Sequence, residues 1–324
     1  MTIDNLVKLT KGELLTSPSV SSFNNIRFSS NKISLGDLFV YTEFEDIEKA
    51  IERGAYAILY DKEIPIIDEE IAWIKVPSLK KALIRILRLY LREKSIDIYY
   101  FDKIESSILK SIVSNKNIVF LKESIFDIFK QLFNAKDDYI VISDDKDILQ
   151  NIYPDFKTIK NDDEIKLKIL KYSIFEIDFI YNEYFHKNIK LPKIFIDNLQ
   201  NVLKFLKIHH IPYELSNLNF IENHFEPIFI DKYLNPKPFG STQRVLIFEK
   251  DYNMIKKEMI FLSDEAKWGR TICVQEGEKH LQNFDTIKNK EFNFAIIFST
   301  KENFLQYLSH QKSKKEKLLF KEFI

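Results

Sequence analysis

Short continuous apolar runs alternate along this chain with stretches in which apolar residues lie three or four positions apart. Such runs are typical of buried strands, and the wider spacing is typical of amphipathic helices. The helical spacing runs from Ser78 to Arg92 and again from Ser124 to Phe133. The strand-like runs lie at 38–41, 55–60, 72–76, 98–101, 117–121, 139–143 and 173–181. This alternation predicts an α/β protein with a mainly parallel sheet in its central part.

The last third of the chain repeats the alternation on a smaller scale and predicts a Rossmann-like unit. Its strand-like runs lie at 244–249, 271–274 and 292–298, with a helical stretch at 254–267. The preceding residues, 226–243, contain three prolines and Gly240 and are interpreted as a linker. The predicted division is three small α/β domains at 1–95, 96–225 and 244–324, with the linker at 226–243.

Composition and charge exclude several classes of protein. Of the 324 residues, 45% are hydrophobic and 30% charged, which is typical of a soluble globular protein. The 48 basic residues are balanced by 48 acidic ones, so the excess of positive charge expected of a nucleic-acid-binding protein is absent. The sequence has neither a signal peptide pattern at its start nor an apolar run near the roughly 20 residues that span a bilayer. A cytoplasmic protein without membrane insertion is predicted.

Glycine is scarce, and its distribution excludes the common phosphate-binding loops. The chain has six glycines, and the stretch between Gly54 and Gly240 has none. Loops that hold phosphates need glycine where the backbone takes positive φ or approaches the ligand closely. Neither GxxxxGK[ST] nor GxGxxG occurs. An ordinary P-loop or dinucleotide-binding loop is therefore excluded.

One stretch, Ser29–Tyr60, combines glycine, charge and apolar periodicity in a recognisable order. The residues that carry this order are Ser30, Lys32, Ile33, Gly36, Asp37, Leu38, Phe39, Val40, Ala50, Ile51, Gly54, Ala55, Ala57 and Ile58. The stretch resembles the N-terminal domain of the Mur ligases, especially the ligase that adds D-alanyl-D-alanine to the UDP-N-acetylmuramoyl tripeptide. The resemblance implies three α/β domains in sequence, with Ser30 at the position that helps to hold the uridine nucleotide.

Two positions that the family uses for catalysis differ here. The family's ATP loop, Gly-x-x-Gly-Lys-Thr, aligns with 102–107, where only Lys103 and Ser106 remain as residue types. The family's magnesium-binding glutamate aligns with Ser143. The acidic residues that follow, Asp144 and Asp145, are more typical of a helix N-terminus than of a metal site. The central domain is also shorter than the family's, so we predict no catalytic residue and no metal site.

Two further segments resemble substrate-binding motifs of the same family. Leu191–Lys193 and the helix after it resemble the Leu-Pro-Gly-x-x-Asn-x-x-Asn helix entry, which makes Asn198 a candidate substrate-binding residue and Asn201 a second remnant. The family's Asp-Asp-Ser-Tyr-Asn aligns with 249–253, and the candidate residues there are Asp251, Tyr252 and Asn253. A second register places that motif at Asp231–Pro236.

Together these features predict a catalytically degenerate Mur-ligase-like pseudoenzyme linked to peptidoglycan precursor synthesis. Its expected role is binding or regulation, with a peptidoglycan-synthesis protein or a UDP-muramoyl peptide as partner and no cofactor. One alternative is an active ATP-dependent UDP-muramoyl-peptide ligase with a non-standard phosphate site, which would need ATP and Mg²⁺. Another is an unrelated α/β binding protein.

Overall fold

The chain divides into two units, and each has its own β-sheets. The structure, a computed structural model, describes residues 1–42, 46–133, 139–274 and 283–322. The first unit comprises residues 1–100 and 116–158, and the second comprises 101–115 and 159–324. Each unit is therefore built from two separate segments of the chain. The boundaries predicted from sequence, with a first domain at 1–95, remain a proposal.

The first unit begins with a five-stranded sheet in the order β1-β5-β4-β3-β2. Strands β2 to β5 are parallel, and β1 pairs antiparallel with β5. The elements are α1 (Ile3–Thr10), β1 (Glu13–Leu14), β2 (Ile26–Arg27), β3 (Leu38–Val40), α2 (Ile47–Glu52), β4 (Ala57–Tyr60), β5 (Ala72–Lys75) and α3 (Leu79–Arg92). Helix α3 begins after Ser78, whose side chain accepts a hydrogen bond from the Lys81 amide, as expected of an N-cap.

A second sheet of the same unit is parallel throughout, in the order β7-β8-β6-β9. Its elements are β6 (Asp97–Tyr100), β7 (Ile118–Phe120), α5 (Ile125–Phe133), β8 (Ile140–Ser143), α6 (Lys146–Ile152) and β9 (Lys157–Thr158). Helix α4 (Lys103–Ile112) lies between β6 and β7 in the chain but belongs to the second unit. One apolar core extends through the first unit from Ile3 to Ile152, so it includes residues on both sides of position 95.

The second unit contains an antiparallel sheet that the sequence did not predict. It consists of β10 (Lys168–Tyr172), β11 (Ile177–Tyr181) and β12 (Tyr184–Ile189). The prediction that the run at 173–181 joins a parallel sheet was wrong. Asn182 and Glu183 both have positive φ and form the two-residue turn of a hairpin, which makes β11 and β12 antiparallel. Helix α7 (Ile196–Ile208) follows.

The C-terminal sheet has the order β13-β14-β16-β15. Its elements are β13 (Glu226–Phe229), β14 (Val245–Glu249), α8 (Tyr252–Glu265), β15 (Thr271–Val274), α9 (Asn283–Lys288), β16 (Phe294–Phe298) and α10 (Lys301–Glu322). Strand β13 lies at the start of the predicted linker and pairs antiparallel with β14. It is an edge strand. Pro227 is tolerated there because proline, which has no backbone N–H, need not supply a hydrogen bond to a second neighbouring strand.

The architecture confirms the predicted α/β class, with parallel strands in three of the four sheets that the described residues form. None of the helices within the described residues is long and apolar enough to cross a membrane.

Candidate functional site

The N-terminus of α4 lies where the resemblance places the ATP loop, and it is closed by two carboxylates. Asp102 is the N-cap, and its Oδ1 accepts a hydrogen bond of 2.7 Å from the Glu105 amide. In return, Glu105 Oε2 accepts one of 3.1 Å from the Asp102 amide. This reciprocal arrangement is a capping box, and it uses two of the amides that a helix N-terminus can offer to an anion.

The other oxygens of the same two carboxylates are held by helix α7. Asn198 Nδ2 donates to Asp102 Oδ2 at 2.9 Å, and Asn201 Nδ2 donates to Glu105 Oε1 at 2.7 Å. A spacing of three residues places both asparagines on one face of α7. Asn201 Oδ1 also accepts from the Asn161 amide at 2.7 Å. All four carboxylate oxygens therefore have a donor within this unit.

Negative charge gathers where a phosphate-binding loop needs positive potential. Burial raises the pKa of the Glu105 carboxyl, the charge of Asp102 raises it further, and the hydrogen bond from Asn201 lowers it. The two ATP-loop positions face different surroundings. Lys103 is exposed in the first turn of α4, whereas Ser106 is buried and its Oγ has no hydrogen-bond partner among the described residues.

A separate cavity of about 540 Å³ lies in the first unit, at the carboxyl ends of β2, β3 and β4. Ligands of α/β proteins commonly bind at this edge of the sheet. Aromatic rings and lysines dominate its lining. The aromatic residues are Phe28, Tyr41 and Phe126, and the lysines are Lys62, Lys80 and Lys130. Asp61 is the acidic residue among the described lining residues, so the formal charge of those residues is positive.

Asp61 also occupies the anion position at the start of α3. Its Oδ2 accepts a hydrogen bond of 2.9 Å from the Leu79 amide. Lys130 Nζ lies 5.2 Å from the centre of the Phe28 ring, which is cation–π distance. The cavity can therefore hold a molecule with a flat apolar part and negative groups, which the lysines rather than the helix amides would contact.

Ser30, the predicted uridine-contacting residue, is 2% exposed in a short 3₁₀ turn, Ser30–Lys32, and is not part of the cavity lining. Asp37 of the same motif is fully buried and accepts hydrogen bonds from the Asn25 and Ser34 amides. Its Oδ2 also lies 3.3 Å from Arg27 Nε. The motif thus organises the turn before β3, and this role for Asp37 was not predicted.

The candidate residues of the C-terminal motif form the start of α8. Asp251 is the N-cap and accepts from the Asn253 amide at 2.9 Å. Tyr252 is 61% exposed and lies edge-on to Phe298. Asn253 is exposed as well. The Asp251 side chain therefore serves as a local cap of α8.

The second register falls on a tight turn. Asp231 Oδ1 accepts hydrogen bonds from the Tyr233 and Asn235 amides at 2.8 and 3.0 Å. Burial acts to raise the pKa of Asp231, but the hydrogen bonds from Asn235, Tyr233 and Lys237 outweigh it and lower the pKa to about 2. Both registers therefore place an aspartate where it accepts hydrogen bonds from nearby backbone amides. Asp251 does so at the start of α8, and Asp231 does so within a turn.

The predicted site residues lie in different parts of the chain. Asn198 is brought to the ATP-loop position, while Ser30 lies in the first unit and Asp251–Asn253 begin α8. The cavity lysines were missed because they are scattered in sequence and have no shared spacing. Within the described residues, no cluster of three or more His, Cys, Asp or Glu side chains has the geometry to hold a metal ion.

Comparisons with known proteins agree with the fold. No protein-family model matches the chain, and no curated protein matches it by sequence. The chain is similar to the crystal structure of the MurF ligase from Thermotoga maritima in complex with ADP, with a TM-score of 0.53 and 11% identity over 90% of this chain and 98% of that one. A crystal structure of MurF from Acinetobacter baumannii matches with a TM-score of 0.48 and 10% identity over 94% and 87% of the two chains. The chain has a Mur-ligase-like fold, as its sequence predicts.

Proposed function

We propose that this chain is a catalytically degenerate Mur-ligase-like protein, a cytoplasmic binding or regulatory protein of peptidoglycan precursor synthesis. The observation that carries the proposal is the closed N-terminus of α4. There the side chains of Asp102 and Glu105 each accept a hydrogen bond from the other residue's amide. Their remaining carboxylate oxygens accept hydrogen bonds from Asn198 and Asn201.

This arrangement opposes ATP binding for two reasons. A triphosphate needs free amides and positive charge at a helix N-terminus, and Mg²⁺ to neutralise its oxygens. Here the ligand would have to displace a capping box, which costs about 1–2 kcal/mol, and would meet two carboxylates. The similar MurF structure contains ADP, but in this chain no ATP or Mg²⁺ requirement is expected.

The cavity of the first unit supports the binding role. Its volume of about 540 Å³ lies within the roughly 300–1,000 Å³ typical of small-molecule sites. Aromatic walls suit a base or sugar face, and Lys62, Lys80 and Lys130 suit phosphate or carboxylate groups. A UDP-muramoyl peptide combines these features, and it is the ligand that we propose.

The test measures thermal stability and heat of binding with each ligand separately. We expect the UDP-muramoyl peptide to bind without ATP, and ATP with Mg²⁺ to cause neither stabilisation nor phosphate release. Replacing Lys80 by alanine should weaken binding several-fold. Lys81→Ala is the matched control, because Lys81 is the next residue of α3 but does not line the cavity.

Different outcomes separate the alternatives. Stabilisation by ATP, or phosphate release in the presence of the muramoyl peptide, would establish the active-ligase alternative and overturn the degenerate one. Failure of the muramoyl peptide to bind would overturn the proposed ligand. Equal loss of binding in Lys80→Ala and Lys81→Ala would move the site away from this cavity.

A further inference from the structure

Helix α8 carries a glutamate on its buried face. Its buried positions are Ile255, Glu258 and Leu262, spaced three and four residues apart as expected of a core-facing stripe. Glu258 is 0% exposed, and neither of its carboxyl oxygens has a hydrogen-bond partner within the described residues. A charged carboxylate without donors is strongly disfavoured in such a place. The position therefore requires either a proton or a counter-charge.

Strand β14 packs against α8, and its last residue, Glu249, is also 0% exposed. Glu249 Oε1 accepts from the Asp251 amide at 2.6 Å and lies 2.8 Å from His224 Nδ1. Its Oε2 has no partner in the described part of the chain. Of the two glutamates, Glu249 is the one with donors that stabilise a negative charge.

We infer that Glu258 is a neutral carboxylic acid at neutral pH that donates its hydroxyl to Glu249, so that the two buried side chains share one negative charge. One proton then satisfies two groups. Glu258 gains an acceptor, and Glu249 gains a donor for its unused oxygen. The proton stays covalently bound to Glu258, and the only interaction added is this hydrogen bond.

Within the described residues, the groups that face Glu258 offer no cation in place of the proton. Burial raises its pKa most, followed by the Glu249 carboxyl group. The Cys273 thiol on β15 and the Asp251 carboxylate raise the pKa further. Strand β16, which also packs against α8, is Phe-Ala-Ile-Ile-Phe and has no titratable side chain.

A metal ion is the physical alternative to a shared proton. It would need further ligands beyond these two glutamates, and within the described residues no cluster of three or more suitable side chains has metal-binding geometry. The proton is therefore the assignment that the side chains themselves support.

The shared proton has a measurable consequence for stability. In the unfolded chain a glutamate loses its proton above a pH of about 4.3. Because the folded chain keeps it, the folded state binds one more proton over the range between the unfolded and the raised folded pKa. Stability is therefore fully present below the unfolded pKa and falls as the pH rises above it. The unfolding constant should increase by up to about tenfold per pH unit from this group alone.

The test compares urea unfolding between pH 5 and pH 9 for the full chain and the variant Glu258→Gln. Glutamine has nearly the same shape and keeps a donor for Glu249, but it has no proton to lose. We expect the ratio of wild-type to variant unfolding constants to rise by about tenfold per pH unit. Asp264→Asn is the matched control, because Asp264 is exposed on the same helix, and its ratio should stay constant.

Isotope-edited infrared spectroscopy gives an independent measurement on the wild-type chain. With labelled glutamate we expect a protonated carboxyl band at pH 7 that Glu258→Gln lacks. Absence of that band in the wild type would overturn the inference, even if the variant failed to fold. The same pH slope for wild type and variant would also overturn it. Stabilisation by Mg²⁺ or Zn²⁺ that disappears in the variant would assign a cation instead.

Discussion

Individual residues mark where the backbone of this chain takes unusual shapes. Gly36 and Gly54 both have positive φ, +89° and +93°, and the Gly36 amide donates to the Gly54 carbonyl at 2.8 Å. Gly54 follows the C-cap residue Arg53 of α2, a position where helices commonly end in a left-handed backbone. These glycines belong to the motif of the resemblance, and their role is to shape two turns.

At this scale we predict that Gly54→Ala destabilises the first unit by about 2–4 kcal/mol. Positive φ costs alanine about 1–2 kcal/mol, and overpacking adds to it. A Cβ at this position would lie 2.8 Å from Leu35 Cδ1 and 3.1 Å from Leu35 Cα. Urea unfolding measures the loss. In a Leu35→Ala background, where the side-chain clash is removed, the loss should shrink by about 1 kcal/mol. Equal losses in both backgrounds would show that the contact with Leu35 is unimportant.

Contacts between helices α4 and α7 determine which groups at the α4 N-terminus are available to a ligand. The sequence Asp-Lys-Ile-Glu is a good capping box, and this part is local. Helix α7 lies about a hundred residues later in the chain, and its asparagines complete the network. The same asparagines that resemble a substrate-binding motif are thus bound to the chain's own carboxylates.

At the scale of elements we predict a coupling between Asp102 and Asn198. Asp102→Ala should cost about 0.5–2 kcal/mol for the lost cap and more for the orphaned Asn198 amide. A double-mutant cycle with Asn198→Ala should give an interaction energy of about 0.5–3 kcal/mol. Lys103→Ala serves as the control because Lys103 is exposed, and it should couple to neither residue. Strictly additive losses for the Asp102 and Asn198 variants would contradict this network.

The whole molecule consists of two units whose chain segments are interleaved. The larger apolar core of the first unit contains residues of α3 such as Leu87 together with Phe129 of α5 and Val141 of β8. The proposed boundary at residue 95 passes through this core. A stable fragment therefore requires the later segment, 116–158, as well.

We predict that a fragment of residues 1–158 unfolds cooperatively and that a fragment of residues 1–95 does not. The shorter fragment lacks the side chains that bury α3, whereas the longer one contains the complete first unit. In the longer fragment, helix α4 lacks its partner helix α7. A second version of this fragment therefore carries Ile108→Lys, because Ile108 is a buried apolar residue of α4 and its exposure would favour aggregation. Thermal melts followed by circular dichroism provide the measurement. An equally cooperative melt of residues 1–95 would support the proposed domain at 1–95.

Local physics explains which features could be predicted from sequence. Apolar spacing predicted α3 and α5 to within one residue at each end because an amphipathic helix shows its buried face in its own sequence. The lack of glycine between Gly54 and Gly240 excluded a phosphate loop because no other residue takes positive φ at so little cost. The Mur-ligase-like fold was predicted from the resemblance of the ordered motif in Ser29–Tyr60 to a known family.

Tertiary structure decided the features that depend on distant residues. The pairing of Asn198 with Asp102, the lysines around the cavity of the first unit and the joint burial of Glu258 and Glu249 each involve separate elements. Sequence spacing carries no signal for such pairs, because burial and charge at one residue depend on which other side chains the fold places beside it. The sequence by itself therefore determined elements such as α3 and α5 and the missing phosphate loop. Only the folded chain determined what occupies that position.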